Sequence, residues 1–198
     1  MTFDSNANKV LITYVSGNTS YAVVGTVSGT SISFGSIETT VSGQAPTIGQ
    51  AFDSNANKHL IAYGEGDALN FGSKVATISG TSVSYGTSLT WVLNGFKLSA
   101  INTVALNEDT NANLMVLGFT NNSSQGQVIS FSISGTTVTA ATSITTWDAG
   151  TQTYYMGGAY HTVEKKTIFS WGQSFATGEA ITYSPSFTNL SATTFIGI

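Results

Sequence analysis

The chain has no cysteine, and only 8% of its 198 residues carry charge. Each shortage excludes something. Without cysteine there is no disulfide framework, no thiolate nucleophile and no sulfur-based metal site. Six basic residues against ten acidic ones leave a net charge of −4. That balance argues against a nucleic-acid partner or an anionic membrane surface. Long hydrophobic runs are missing too, so membrane insertion is not expected. Residues 1–15 lack the basic start and apolar run of a signal peptide. No 3.6-residue periodicity stands out anywhere, which speaks against helices.

What is present is apolar and β-branched. Hydrophobic residues make up 41% of the chain, and Gly numbers 21. Val, Ile, Thr, Phe and Tyr in this abundance favour strands, and the apolar content is too high for a disordered chain. The expectation is an all-β protein with a sizeable core.

One stretch organises the rest. Phe3-Asp4-Ser5-Asn6-Ala7-Asn8-Lys9 returns almost letter for letter as Phe52-Asp53-Ser54-Asn55-Ala56-Asn57-Lys58. Looser copies begin at Asp109 and at Tyr160-His161. Each copy leads into a short apolar run carrying an aromatic at the same place: Tyr14, Tyr63, Phe119 and Trp171. Between copies lie a second set of turns, Ser28-Gly29-Thr30-Ser31, Ser79-Gly80-Thr81-Ser82 and Ser134-Gly135-Thr136-Thr137. Four short strands per unit, at a period near 50 residues, is the pattern of a β-propeller blade. One blade has two apolar faces and cannot bury both alone, so blades must stack.

The fold expected is thus all-β, a propeller-like array of about four four-stranded antiparallel blades. The whole chain, 1–198, reads as one repeat domain, with repeats near 1–46, 47–98, 99–153 and 154–198. Within the second repeat, strands are expected at Thr47–Phe52, Lys58–Tyr63, Phe71–Ile78 and Val83–Val92. The third should hold strands near Ala100–Leu106, Leu114–Phe119, Gln127–Ile133 and Val138–Thr145. Thr39–Pro46 reads as a loop. The four repeated aromatics should be buried equivalents between blades. The last residues, Phe195–Ile198, match the inner-strand residues Ile48-Gly49, so the two termini are expected to pair in the first blade and close the ring. An ordinary β-sandwich and a stacked fibre shaft are the competing architectures.

The run Val24–Gly35, with Phe3–Tyr14 before it, resembles repeats in tail-fibre or appendage-like structural proteins of marine bacteriophages. Asn189–Gly197 resembles the segment that follows those repeats. This resemblance implies a virion-associated, extracellular and non-enzymatic role, and it designates no catalytic residue. The expected function is then a structural or receptor-binding module contacting cell-surface glycan. A purely structural decoration or assembly domain touching neighbouring virion subunits is the alternative, and a glycan-degrading enzyme ranks third. Homo-oligomers fit either of the first two.

The residues themselves offer little catalytic chemistry. His59 and His161 occupy different repeat positions, and no nucleophile–base–acid order recurs. Asp4, Asn6 and Asn8, like Asp53, Asn55 and Asn57, have the alternate spacing of a calcium loop. The loop's glycine and its closing acid are missing, so these read as turns, and neither metal nor cofactor is expected. Glu65 and Asp67 form an acid pair in a Gly-rich turn. Trp91, Trp147, Tyr154 and Tyr155 lie off the repeated aromatic position, near loops joining one blade to the next. Aromatic faces beside polar groups suit a sugar ring, and packing at the blade rim is the competing reading. In a four-stranded meander the second-to-third turns share one end with the blade-to-blade loops. These are the turns that vary, and a variable loop on a rigid scaffold is where binding residues usually sit. Asp67, Trp91, Asn121, Trp147, Tyr154 and Tyr155 are the resulting candidate ligand or partner residues.

Overall fold

The computed structural model of the chain describes residues 1–43, 48–65, 70–92, 104–121, 123, 125–140, 142–147, 153–173, 177–185 and 191–196. Four antiparallel sheets follow one another along the chain. Blade 1 holds β1 (Thr2–Asp4), β2 (Lys9–Ser16), β3 (Thr19–Ser28) and β4 (Ser31–Ser42). Blade 2 holds β5 (Ile48–Asp53), β6 (Lys58–Glu65), β7 (Asn70–Ser79), β8 (Ser82–Tyr85) and β9 (Leu89–Val92). Blade 3 holds β10 (Val104–Asp109), β11 (Leu114–Thr120), β12 (Gly126–Ser134), β13 (Thr137–Ala140) and β14 (Thr145–Thr146). Blade 4 holds β15 (Thr153–His161), β16 (Lys166–Gln173), β17 (Thr177–Tyr183) and β18 (Ser191–Ile196). Strands pair in sequence order as a meander, the simplest way for short loops to join antiparallel strands.

Two turn types recur, the first in all four blades and the second in blades 1 to 3. In the first, the Asp Oδ1 accepts backbone N–H groups two or three residues on. Asp4 accepts from Ala7, Asp53 from Asn55 and Ala56, and Asp109 from Asn111 and Ala112. The chain then passes through a left-handed residue at Asn8, Asn57 and Asn113. Asn tolerates that conformation because its short amide bonds locally. The fourth copy keeps the geometry with other residues. His161 Nδ1 accepts from Glu164 N, and Lys165 takes the left-handed place. The second turn carries Gly29, Gly80 and Gly135 at φ of 57–60°, each followed by Thr. Glycine first in a two-residue loop is the signature of a II′ hairpin.

Alternation along the strands gives each blade a front and a back. Front residues of one blade pack on the back of the blade before it. Leu11, Ala22 and Val24 on the back of blade 1 meet Ile61, Tyr63, Ala76 and Val83 on the front of blade 2. Leu60, Ala62 and Val75 meet Met115, Leu117, Phe119 and Phe131 of blade 3. Ala105, Val116 and Val128 meet Phe169, Trp171, Ile181 and Tyr183 of blade 4. Three of the four repeated aromatics are therefore buried as expected: Tyr63, Phe119 and Trp171 are 1%, 0% and 3% exposed. Tyr14 is 38% exposed, because no blade covers the front of blade 1. Among the described residues, no core cluster joins blade 4 to blade 1.

Several expectations change. Among the described residues, which leave out Gly197 and Ile198, the termini do not pair. β18 adds to β17 as the outermost strand of blade 4, and blade 1 has its own inner strand, β1. The single strand expected over Val83–Val92 is two, β8 and β9, both bonded to β7. Val138–Thr145 splits in the same way into β13 and β14 along β12. In blade 1 the counterpart is continuous, and β4 takes up the first part of the expected Thr39–Pro46 loop by absorbing two register shifts against β3. Gly35 and Gly86 mark the breakpoints. A β-carbon on Gly35 would lie 1.8 Å from the Thr81 carbonyl oxygen, and one on Gly86 would lie 2.0 Å from that of Thr136. The II′ turns of blades 2 and 3 thus seat their backbone on a glycine of the blade before. That constraint is a contact between blades, invisible to strand propensity.

Candidate functional site

The register places Trp91, Asn121, Trp147 and the backbone of Tyr154 at one end of the blades. Trp91 lies opposite Phe71 at the start of β7. Asn121 begins the corresponding turn of blade 3, and Trp147 bonds through its backbone to Gly126 at that turn's far side. Tyr154 pairs with Gly172 near the end of β16, and Tyr155 falls in the irregular stretch between Tyr154 and Gly157. Such bulges bend a strand and re-aim its side chains, often beside functional sites. Asp67 and the side chains of Tyr154 and Tyr155 lie outside the described residues.

The side chains that are described have structural partners. Asn121 closes its own turn. Its Oδ1 accepts from Ser123 N and Gln125 N, and its Nδ2 donates to Gln125 Oε1 at 2.8 Å. Trp91 meets Phe131 of the next blade edge-on, with ring centroids 5.3 Å apart. Trp147 stacks on Phe169 at 5.5 Å and an interplanar angle of 9°, with Trp171 alongside. Each indole therefore fills the outer edge of a blade junction while remaining half-buried. Val41 occupies the matching edge between blades 1 and 2. The Trp147 Nε1 is buried beside Gly126 with no hydrogen-bond partner among the described residues.

The opposite end, where the repeated turns lie, is taken up by bonds between blades. Ser54 donates through both its N–H and its hydroxyl to Glu108 Oε1, at 2.6 Å each. Asn111 N donates to the Tyr160 hydroxyl at 3.2 Å. Of the turn oxygens that suggested a calcium loop, those of Asp4 and Asp53 accept backbone N–H groups. Among the described residues, no group of three or more His, Asp and Glu side chains could hold a metal.

One constellation was not legible in the sequence. Thr2 Oγ1 lies 3.1 Å from His59 Nδ1, and His59 Nε2 lies 3.2 Å from Asp4 Oδ2. Gln50 Nε2 donates to the same threonine oxygen and to the Leu11 carbonyl. A hydroxyl, an imidazole and a carboxylate in a row have the order of a proton relay. Here the imidazole is fully buried, the threonine oxygen is held by Gln50, and the carboxylate also holds its own turn. The arrangement works as a polar lock between blades 1 and 2. Its only sequence signal is a His where the equivalent positions hold Val10, Met115 and Thr167. At the junction of blades 3 and 4 the matching pair is Asp109 and Thr167, each with a buried oxygen lacking a hydrogen-bond partner.

Burial lowers the His59 pKa below its ordinary value of 6.5, and the attraction of Asp4 only partly offsets this. The folded state thus holds His59 neutral at a pH where the unfolded chain binds a proton. Its stabilising contribution is complete above pH 6.5 and is lost as pH falls below that value toward the folded pKa. Stability should fall by at most about 1.4 kcal/mol per pH unit in that window. Urea titrations at pH 7, 6 and 5 check this. In His59→Gln the loss between pH 7 and 5 should shrink, and an unchanged slope would remove His59 as its source.

No protein-family model matches the chain, and neither does any curated protein sequence. Solved structures do. The chain is similar to the exo-β-1,3-galactanase of Phanerochaete chrysosporium. In a variant bound to β-1,3-galactotriose the TM-score is 0.57 at 13% identity, covering 98% of this chain and 52% of the galactanase. The galactose-bound enzyme gives 0.54 at 13% identity, over 98% and 52%. This chain spans about half the length of those enzymes. At such low identity the likeness shows the fold, and it agrees with the propeller-like stacking of blades. It also corrects the functional expectation. The solved structures named above are exo-β-1,3-galactanases, which are enzymes and not virion structural modules. The prior reason to class the chain as non-enzymatic therefore falls.

Proposed function

We propose that this chain is a glycan-contacting set of propeller blades of the glycoside-hydrolase type, with a galactan-like polysaccharide as the first ligand to test. The observation carrying this reading is the fold likeness to galactanases over nearly the whole chain. The division of labour between the two ends supports it. The end with the repeated turns spends its polar groups on blade-to-blade bonds. The other end carries the variable turns, the bulge at Tyr154–Gly157 and the edges of Trp91 and Trp147. Hydrolysis by the usual route needs two carboxyl groups about 5–10 Å apart, depending on stereochemistry. Asp4, Asp53 and Asp109 are committed to turns at the far end. Glu179, opposite Trp171 in the register, and Asp67, which lies between β6 and β7 in the sequence, are the acids to examine first.

The test is calorimetric titration with β-1,3-galacto-oligosaccharides, with galactose release followed in the same samples. Binding should weaken roughly tenfold, about 1.4 kcal/mol, in Asp67→Ala and Tyr155→Ala with melting unchanged. Asn55→Ala at the other end should leave binding intact. Absence of binding to these sugars and to a broad glycan panel would end this reading. Galactose release abolished by Glu179→Gln or Asp67→Asn would extend it from binding to catalysis.

A further inference from the structure

The three blade junctions follow one rule, and the chain leaves that rule half-satisfied at both ends. On each buried front, an aromatic projects from the second strand: Tyr63, Phe119 and Trp171. On each covered back, small or aliphatic residues receive it. The pairs facing one another across the second and third strands are Leu11 with Val24 and Thr13 with Ala22 in blade 1. They are Leu60 with Val75 and Ala62 with Ser73 in blade 2, and Val116 with Ser130 and Gly118 with Val128 in blade 3. The fit is close. A β-carbon on Gly118 would lie 2.8 Å from the Phe169 ring.

Among the described residues, no blade packs on the front of blade 1. Val10, Ile12 and Tyr14 stand where His59, Ile61 and Tyr63 stand in blade 2. Ile32 and Phe34 are 45% and 59% exposed, while Val83 and Val138, equivalents of Ile32, are 8% and 4% exposed. Val27 and Ile37, on the same face by register, are exposed as well. Thr30 matches Thr81 and Thr136, whose carbonyls sit on the preceding blade's glycine, but it has no such seat. Contiguous exposed apolar surface of this kind marks an interaction site. Blade 4 presents the complementary back. Ile168 with Thr182 and Ser170 with Ala180 repeat the aliphatic-and-small pattern, and all four are half-buried or exposed.

We propose that the front of blade 1 docks on the back of blade 4 of a second copy of this chain, continuing head to tail the interface used three times within the chain. Tyr14 enters the space over Ser170 and Ala180, as Tyr63, Phe119 and Trp171 do over their own receiving residues. Such a contact is heterologous, and repetition closes a ring or extends a filament according to the angle between copies.

The test is the solution mass of the 198-residue chain by light scattering across a dilution series. The expected result is twice the 20.6 kDa chain mass or a higher multiple, dissociating on dilution. Phe34→Asp and Ile168→Asp change exposed or half-buried residues on the two opposite faces. Each alone should give a monomer with unchanged circular dichroism. Mixing the two variants should restore a dimer, because one intact front and one intact back remain. A wild-type monomer at every concentration overturns the proposal. An oligomer that survives Ile168→Asp but not Phe34→Asp overturns it too, since fronts would then be meeting fronts.

Discussion

Gly86→Ala is expected to lower stability by about 3 kcal/mol, at the upper end of what overpacking a close contact usually costs. The added methyl would sit 2.0 Å from the Thr136 carbonyl oxygen and 2.8 Å from the Thr136 β-carbon. Neither atom can step aside. Thr136 follows Gly135 in a two-residue hairpin whose backbone is fixed by the Ser134–Thr137 pair. Gly86 is itself held by its N–H bond to the Val75 carbonyl. Relief therefore requires blades 2 and 3 to separate. For a domain of this size the melting temperature should drop by roughly 6–12 °C. Gly17→Ala is the comparison. Its β-carbon would meet nothing within 4 Å, so only its left-handed backbone is penalised, at about 1 kcal/mol. Equal melting temperatures for the two variants would show that the turn does not press on Gly86 in solution.

The second large effect should come from the repeated aromatics, and it should be unequal. Phe119→Ala and Tyr63→Ala each remove a ring with almost no exposed surface, and should cost about 3–5 kcal/mol. Tyr14→Ala removes the same repeat position where no blade covers it. Among the described residues its ring stacks on Tyr21, with centroids 5.4 Å apart, so the loss in the dilute monomer should be about 1 kcal/mol. Urea midpoints with unchanged slopes would measure all three. If Tyr14→Ala proved as costly as Phe119→Ala under monomeric conditions, the front of blade 1 would have to be covered within the chain itself.

These two experiments separate what is local from what is not. Asp53, Asn57 and Gly80 declare themselves in the sequence because their work is done within a few residues. An Asp oxygen caps its own turn, an Asn takes the left-handed place, and a Gly opens a II′ hairpin. Repeated at a period near 50, those signals determined four meandering blades, and the alternation between them determined that the blades must stack. Even the fourth copy, where His161 and Lys165 replace Asp and Asn, was placed correctly by its spacing to Trp171.

Tertiary structure decided everything that depends on which blade stands next to which. Tyr14 and Tyr63 have nearly the same local sequence and opposite fates, since burial belongs to the neighbour and not to the residue. The final strand resembles an inner strand yet pairs with β17 as an outer one, because backbone hydrogen bonds carry no sequence label. Trp91 and Trp147 read from the sequence either as sugar-stacking faces or as packing at the blade rim, and the adjoining blades supply Phe131 and Phe169 to pack against them. The lock of Thr2, His59 and Asp4 joins residues more than fifty positions apart. No periodicity encodes it, because a single contact between two blades is not repeated at the other junctions. The sequence by itself determined the blade. The contacts between blades decided its neighbours and its uncovered face.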